Sequence, residues 1–298
     1  MQTRISVDGR IQTPEEASVR VLDHGFLFGD SAYEVLWWHR GALVQADDHW
    51  ERLEASAARL YMDLQHSRAA LEAAVRATVA AAGVGPQEDA LVRVVVTRGV
   101  GPPQLDLRTA LRRTLVVLVA PASRPTPEAF ERGLHLHVGE RRRTSARALD
   151  PRAKTGNYLN NVLALHEAVQ AGADDALFLN EAGEVAEATT SNVWLVREGA
   201  VRTPVLGAGI LEGTTRRRIL ALCAQARLPA SEARLLPADL EAAEEVFVSS
   251  SVRGVMPVTR LGGRGVGTGR VGPVTRRVRD LFEAAADADA RRAGGVPA

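Results

Sequence analysis

KTGNYLNNVLALHEAVQAG, residues 154–172, sets the frame for the whole chain. From Asn157 onward it predicts a helix that stops at Gly172, a residue favoured just past helix ends. Lys154, ahead of that helix, is the one lysine in 298 residues; every other basic side chain, histidine aside, is arginine. An amine that can lose a proton and attack a carbonyl is chemistry that arginine cannot supply. Working outward, GLHLHVG (133–139) predicts a strand and residues 140–153 a loop. Beyond the helix, ALFLN (176–180) and EVAEATTSNVWLV (184–196) predict a hairpin about Glu181–Gly183. GAGILEGTTRRRILALCAQA (207–226) is a turn opening into a helix, EVFVSSSVRGVMPVTRL (245–261) a strand, and VTRRVRDLFEAAADA (274–288) a last helix.

The N-terminal part has the same mixed character. RISVDGRIQ (4–12) and AYEVLWWHRGALVQ (32–45) predict hairpins turning at Asp8-Gly9 and Arg40-Gly41. DDHWERLEASAARLYM (47–62) predicts a helix capped by Asp47 or Asp48, with Trp50, Leu53, Ala57 and Leu60 on one face. A second helix spans Ser67 to Ala82, before Gly83. The β-branched runs ALVRVVVTRG (90–99) and RTLVVLVA (113–120) predict buried strands. Without regular βαβ alternation this is an α+β chain. PASRPTPEAF (121–130), with three prolines, marks a connector. The expected organisation is an N-terminal α/β domain over 1–120, a linker over 121–132, a C-terminal domain over 133–289 and a fraying tail over 290–298.

Composition excludes several classes. Lys+Arg total 37 against Asp+Glu 36, so no net field marks a nucleic-acid binder. The clusters GERRRTSAR and TTRRRIL read as solvated faces or loops. Cys223 is the one cysteine, so an internal disulfide or thiolate metal cluster is excluded, and its apolar setting predicts burial. No metal site is expected. The N-terminus lacks a signal-peptide core and no apolar run would span a bilayer. A cytoplasmic protein without membrane or nucleic-acid partners is the expectation.

Four segments in order, LDHGFLFGDSAYEV (22–35), KTGNYLNNVLALHEA (154–168), GEVAEATTSNVWLV with GILEGTTRR (183–196, 209–217), and EVFVSSSVRGVMPV (245–258), resemble the fold-type-IV pyridoxal-phosphate enzymes. That group contains branched-chain aminotransferases, D-amino-acid aminotransferases and aminodeoxychorismate lyases. The resemblance covers about Ser6 to Leu261 and implies a two-domain, D-amino-acid-aminotransferase-like α+β fold with pyridoxal 5'-phosphate held between the domains. It implies that Lys154 holds the cofactor as a Schiff base and then moves the α-proton. Glu187 would keep the pyridine nitrogen protonated, so that the ring accepts electrons. Phosphate would sit on Gly213, Thr214 and Thr215 at a helix start, on Arg52 bidentately, and beside Ser250 and Ser251, where branched-chain enzymes have glycine at the first position. Tyr158 would meet the phenolic oxygen, sharing a helix face with Lys154. Phe28 and Tyr33 match pocket-lining rings.

Arg93 matches an arginine near the substrate carboxylate, as a buried cation on the strand face shared with Leu91 and Val95; Arg98 competes for that role. D-amino-acid enzymes of the group carry an Arg-x-His pair shortly after TRG, and GPPQLDL (101–107) offers none. The resulting expectation is transamination between a hydrophobic or branched-chain L-amino acid and a 2-oxo acid such as 2-oxoglutarate, in a homodimer. The alternatives are a D-amino-acid aminotransferase, a lyase releasing 4-aminobenzoate and pyruvate, and a non-catalytic protein that kept the fold.

Overall fold

The computed structural model describes residues 1–110 and 112–294. The chain forms two compact units. Unit 1 comprises Met1–Ser123 together with Ala153–Asn157 and Ala286–Ala298; unit 2 comprises Arg124–Arg152 and Tyr158–Ala285. Lys154, which the sequence reading assigned to the C-terminal domain, therefore belongs to unit 1.

Unit 1 is a six-stranded antiparallel sheet under two helices. Its elements are β1 (Arg4–Val7), β2 (Arg10–Gln12), the short α1 (His24–Phe28), β3 (Ser31–His39), β4 (Ala42–Leu43), α2 (Ala46–Arg59), α3 (Arg68–Ala82), β5 (Ala90–Thr97) and β6 (Thr114–Pro121). Strand order is β2-β1-β6-β5-β3-β4. Both expected hairpin turns form: Asp8 and Gly9 have φ 49° and 87°, Arg40 and Gly41 47° and 88°. Two consecutive left-handed residues match the twist of the flanking strands. Period-two alternation aims Ala32, Leu36, Trp38, Val92, Val94, Val96, Val117 and Val119 at the helices, where Trp50, Leu53, Leu71 and Val75 complete the core. Each fully buried valine or leucine among them contributes about 1.5–3 kcal/mol by leaving water. Helix α3 starts and stops as expected, with Ser67 accepting from the Ala70 N–H and Gly83 left-handed at the end. Helix α2 differs: left-handed Gln45 precedes it without a side-chain cap, and Asp47 and Asp48 fall in the first turn. There they still favour the positive end of the helix dipole.

Unit 2 runs α4 (Pro127–Arg132), β7 (Leu134–Arg142), α5 (Leu159–Gln170), β8 (Asp175–Leu179), β9 (Val185–Ala188), β10 (Asn192–Arg197), β11 (Ala200–Pro204), α6 (Thr214–Gln225), β12 (Ala230–Ala233), α7 (Pro237–Glu241), β13 (Glu245–Ser250), β14 (Gly254–Leu261), β15 (Arg264–Gly265) and α8 (Pro273–Arg292), the last continuing into unit 1. Within the proline-rich connector, Thr126 caps α4 and Pro127 takes its first turn, where a missing N–H costs nothing. EVFVSSSVRGVMPVTRL forms two strands, not one: Ser250 pairs with left-handed Gly254 across a tight turn. The sheet order is β12-β11-β10-β13-β14-β7-β8-β9, with β15 on β14. Pairing of Asn192 with Glu187 returns β9 to β10 and closes six strands into a ring. Leu136, Leu177, Val185, Val193, Val246 and Val248 fill one side of this sheet; Phe178, Ala186 and Ile210 pack with α5 on another. Cys223 is buried, which pushes its thiol pKa up. The tail expected to fray from Ala290 stays helical to Arg292; residues 295–298 lie outside the described residues.

Candidate active site

In unit 1, Lys154 is held by its backbone beside β3. Its carbonyl accepts the Tyr33 N–H at 3.0 Å, and its N–H donates to Ser56 Oγ of α2 at 3.0 Å. Thr155 bridges to Ala32, and the Gly156 N–H reaches the Ser31 carbonyl at 3.1 Å. A Cβ on Gly156 would lie 2.5 Å from Ser31 Oγ, so a larger residue would displace that hydroxyl. The Lys154 ammonium lies 4.6 Å from the centre of the Tyr33 ring, and the Arg93 guanidinium 5.3 Å from it. Lys154 lies outside any helix and α5 begins only at Leu159, so the expected helix face shared with Tyr158 does not exist. Tyr158 stands immediately before α5, in its N-cap position.

Behind Tyr33, on the helix side of the sheet, is a polar cluster that the sequence reading missed. Glu34 is fully buried and accepts from Arg52 Nε (2.7 Å), Arg52 Nη2 (2.7 Å) and His49 Nδ1 (2.7 Å). Burial pushes the Glu34 pKa up, but the charges and hydrogen bonds of Arg52 and His49 outweigh it and bring it to about 2. His49 is driven down, first by burial and then by the Arg52 and Lys154 charges working against Glu34. A neutral imidazole with its proton on Nδ1 fits an ionised carboxylate acceptor. A signal existed: Glu34 alternates with Ala32 and Leu36, putting a charge at a core-facing position. Arg52 therefore spends its Nε–Nη2 edge on Glu34, and that edge is not available for the bidentate phosphate contact.

The two arginines on β5 and its end also depart from expectation. Arg93 shares its strand face with Leu91 and Val95, but it is exposed; the argument from a buried cation does not apply. Arg98 is the buried one, at 2% exposure, and its guanidinium holds both Asp30 oxygens and the carbonyls of Leu60 and Tyr61. Four such bonds make it a brace between the end of β5, the loop before β3 and the end of α2. Phe28 is partly exposed at the end of α1, its ring edge-on to His24 at 5.1 Å.

In unit 2, Glu187 is 6% exposed on β9. Its Oε1 accepts from Arg143 Nε at 3.0 Å, and its Oε2 accepts from the Leu211 N–H at 3.1 Å and from Asn192 Nδ2 at 3.3 Å. Three donors, one of them a guanidinium, favour the carboxylate form. Glu181 and Glu184, outside this cluster, lie on the 181–184 turn. Arg143 sits in the run read as solvated, and nothing in that run distinguishes it from Arg141 and Arg142. The second run behaves likewise: Arg216 is buried, bonded to the Pro204 carbonyl and paired with Glu232 at 2.6 Å.

Asn192 also touches the start of α6. A Cβ on Gly213 would lie 2.0 Å from Asn192 Oδ1, so any larger residue would force the Asn192 amide out of place. Gly213 provides no side-chain cap, Thr214 and Thr215 are buried, and the Thr215 hydroxyl has no hydrogen-bond partner. Ser191 Oγ, in the neighbouring TTSN segment, is a second buried hydroxyl without a partner. Ser249, opposite Asn192 in register, accepts from Trp194 Nε1 at 2.9 Å, and half-buried Ser250 and Ser251 follow at the hairpin turn.

Residues 31–261 match the family model for amino-transferase class IV. The chain belongs to the class IV aminotransferases. It is 32% identical over 280 residues to a Methanocaldococcus jannaschii protein provisionally named a branched-chain-amino-acid aminotransferase, covering 94% of this chain and 95% of that one. It is 30% identical over 280 residues to the D-alanine aminotransferase of Bacillus licheniformis, covering 94% and 96%. The T.th. branched-chain amino acid aminotransferase complexed with N-(5'-phosphopyridoxyl)-L-glutamate superposes with a TM-score of 0.86 at 28% identity, covering 96% and 94%. The fold is thus the two-domain fold-type-IV α+β architecture, and the class IV cofactor is pyridoxal phosphate. The residues fit such a group. Unpartnered buried hydroxyls beside an uncapped helix start suit a phosphate with several acceptor oxygens. A carboxylate held ionised by three donors suits a protonated ring nitrogen. Among the described residues no helix is long and apolar enough to cross a membrane.

Proposed function

We propose that this class IV aminotransferase moves the amino group of a hydrophobic, branched-chain L-amino acid to a 2-oxo acid such as 2-oxoglutarate, with Lys154 as the catalytic amine. The observation that carries the substrate choice is Arg98. Its guanidinium is spent on Asp30 and two backbone carbonyls, and GPPQLDL beyond it holds no histidine, so this strand end offers no cationic trap of the D-specific kind. Arg93, whose guanidinium lies 5.3 Å from the centre of the Tyr33 ring that the Lys154 ammonium also approaches, is left to meet the substrate carboxylate.

Bound pyridoxal phosphate supplies an electron sink that stabilises a carbanion at the substrate's α-carbon. The chain's residues do the rest. Lys154 would hold the cofactor through its amine, and the same amine, when free, would move the substrate's α-proton as base and then acid. Glu187, kept ionised by Arg143, Asn192 and the Leu211 N–H, holds the proton on the ring nitrogen. Gly213, Thr214 and Thr215 offer backbone N–H groups and hydroxyls to the phosphate. Ser250, Ser251 and Arg52, the last oriented by Glu34, add donors there. Tyr158 donates to the phenolic oxygen, while Phe28 and Tyr33 bound the substrate pocket.

A homodimer belongs to this reading. Leu159, Val162, Leu163 and Val169 recur at helical spacing on the exposed face of α5, and Val21 and Phe26 stand out from unit 1. Such apolar surface calls for a protein partner. A reducing cytoplasmic setting suits a chain whose single cysteine is buried and cannot pair internally.

The D-alanine aminotransferase relatives favour a second reading, transamination of D-amino acids. A half-reaction screen separates the two: the loaded enzyme is mixed with L-leucine, L-valine, L-isoleucine, D-alanine or D-glutamate, and the cofactor spectrum is followed. The branched-chain L-amino acids should react at least about tenfold faster, a transition-state difference of about 1.4 kcal/mol. Faster conversion of either D-amino acid overturns the substrate choice. Pyruvate release from aminodeoxychorismate without an amino acceptor would mark a lyase instead.

A further inference from the structure

His39, the last residue of β3, lies in unit 1 and has no part in the proposed chemistry. Its ring is mostly buried, yet both nitrogens face carboxylates: Nδ1 is 2.6 Å from Asp89 Oδ1, ahead of β5, and Nε2 is 2.9 Å from Asp287 Oδ1 on α8. A neutral imidazole has one N–H, so one of these contacts would set a lone pair against a carboxylate oxygen; only the imidazolium donates to both. Arg40, in the adjoining turn, donates from Nη1 to the same Asp287 oxygen at 2.8 Å. Two residues on, Asp289 accepts the Gln45 N–H at 3.2 Å. Ala286 and Ala290 bury the apolar side of the same two turns. The end of α8 is thus held by a polar clamp on the β3–β4 hairpin, and His39 is its centre.

We infer that His39 is a pH-operated latch, tightening the last two turns of α8 on the β3–β4 hairpin when its imidazole is protonated and loosening them when the proton is lost. The charged groups facing it are Asp89, Asp287 and Arg40, and on its own strand the Trp37 ring lies 4.3 Å away. Burial disfavours the imidazolium and Arg40 opposes it, but the two carboxylate hydrogen bonds and the Asp89 charge prevail and raise the His39 pKa above its ordinary 6.5. A group whose pKa rises on folding stabilises the fold below its unfolded value and loses that contribution as pH climbs through the folded one. The latch is closed at pH 6 and opens on the alkaline side. Residues 287 and 289 carry the fastening, so the response is local to the end of α8.

The test is amide hydrogen exchange of the holoenzyme, read on peptides covering residues 286–294 at pH 6 and pH 9 and corrected for intrinsic chemical rates. Wild-type protection should fall about tenfold between the two. His39→Gln, which keeps hydrogen bonding but cannot ionise, should show no pH step, and Asp287→Asn should already lack the protection at pH 6. Equal wild-type protection at both pH values, or a step that survives in His39→Gln, overturns the latch. A nitrogen-15 titration of the wild-type imidazole needs no variant: a doubly protonated ring at pH 6 supports the inference, and a neutral one refutes it. Transamination at pH 7 should be unchanged in His39→Gln, because His39 touches none of the catalytic groups.

Discussion

Replacing Glu34 by Gln tests the polar cluster beneath β3. The substitution keeps the shape but removes the charge that Arg52 and His49 both address at 2.7 Å. The Glu34 carboxyl lies at about 2 in the fold against an ordinary 4.5, a difference worth about 3 kcal/mol. Removing one member of a buried ion pair costs about 3–5 kcal/mol on general grounds, because the partner charge is left uncompensated. The two routes agree near 3 kcal/mol. For a unit of this size that lowers the melting temperature by about 6–12 °C at pH 7. Because the folded pKa is depressed, the stabilisation is complete above the unfolded value of 4.5 and is lost as pH falls through about 2. The gap between wild type and Glu34→Gln should therefore close on acidification. The assay is thermal unfolding by circular dichroism at pH 7 and at steps down to pH 2, together with cofactor titration of the apo-protein. A variant melting within about 2 °C of wild type at pH 7 would refute the assignment of this charge as a net stabiliser.

Thr215→Val should leave folding stability unchanged or slightly higher, since the hydroxyl has no partner to lose. It should still weaken pyridoxal-phosphate binding to the apo-protein about tenfold or more, the worth of one hydrogen bond to a charged group. Unaltered affinity by fluorescence titration would take Thr215 out of the phosphate site. Glu187→Gln should cut transamination at least about 100-fold, or about 2.7 kcal/mol in the barrier, while the melting temperature falls far less than the activity; wild-type turnover would remove the ring-nitrogen role. Arg98→Ala should unfold the protein more readily without a selective rise in substrate KM, because its guanidinium braces Asp30 and α2; a KM effect in a stably folded variant would return Arg98 to the substrate pocket.

Local rules carried most of the secondary structure. Asp8-Gly9 and Arg40-Gly41 could only be tight hairpin turns, and Ser67 with Gly83 bracketed α3 because capping chemistry is local. The VFVSSSVRG segment was harder. Its turn depends on left-handed Gly254 within an otherwise β-like run, so two strands read as one. For the site, Lys154 stood out because the chain has no other lysine, and Glu187 only through the family motif. What the sequence hid was pairing across long separations. Arg143 finds Glu187 44 residues on, and Arg98 reaches Asp30 68 residues back. Charge runs looked solvated for the same reason: which arginine of RRR turns inward is decided by the sheet it lands on. Arg93 failed in the opposite direction, since alternation fixes a strand face but does not say whether that face is covered.

The most direct measurement concerns the amine itself. With one lysine in the chain, pyridoxal phosphate has two primary amines to react with, Lys154 and the α-amino group. The protein is loaded, reduced with borohydride, digested, and the phosphopyridoxyl group located by peptide mass mapping. The expected result is one adduct per chain, on the peptide containing Lys154. An adduct on the α-amino group with Lys154 unmodified, or no adduct at all, would contradict Lys154 as the catalytic amine.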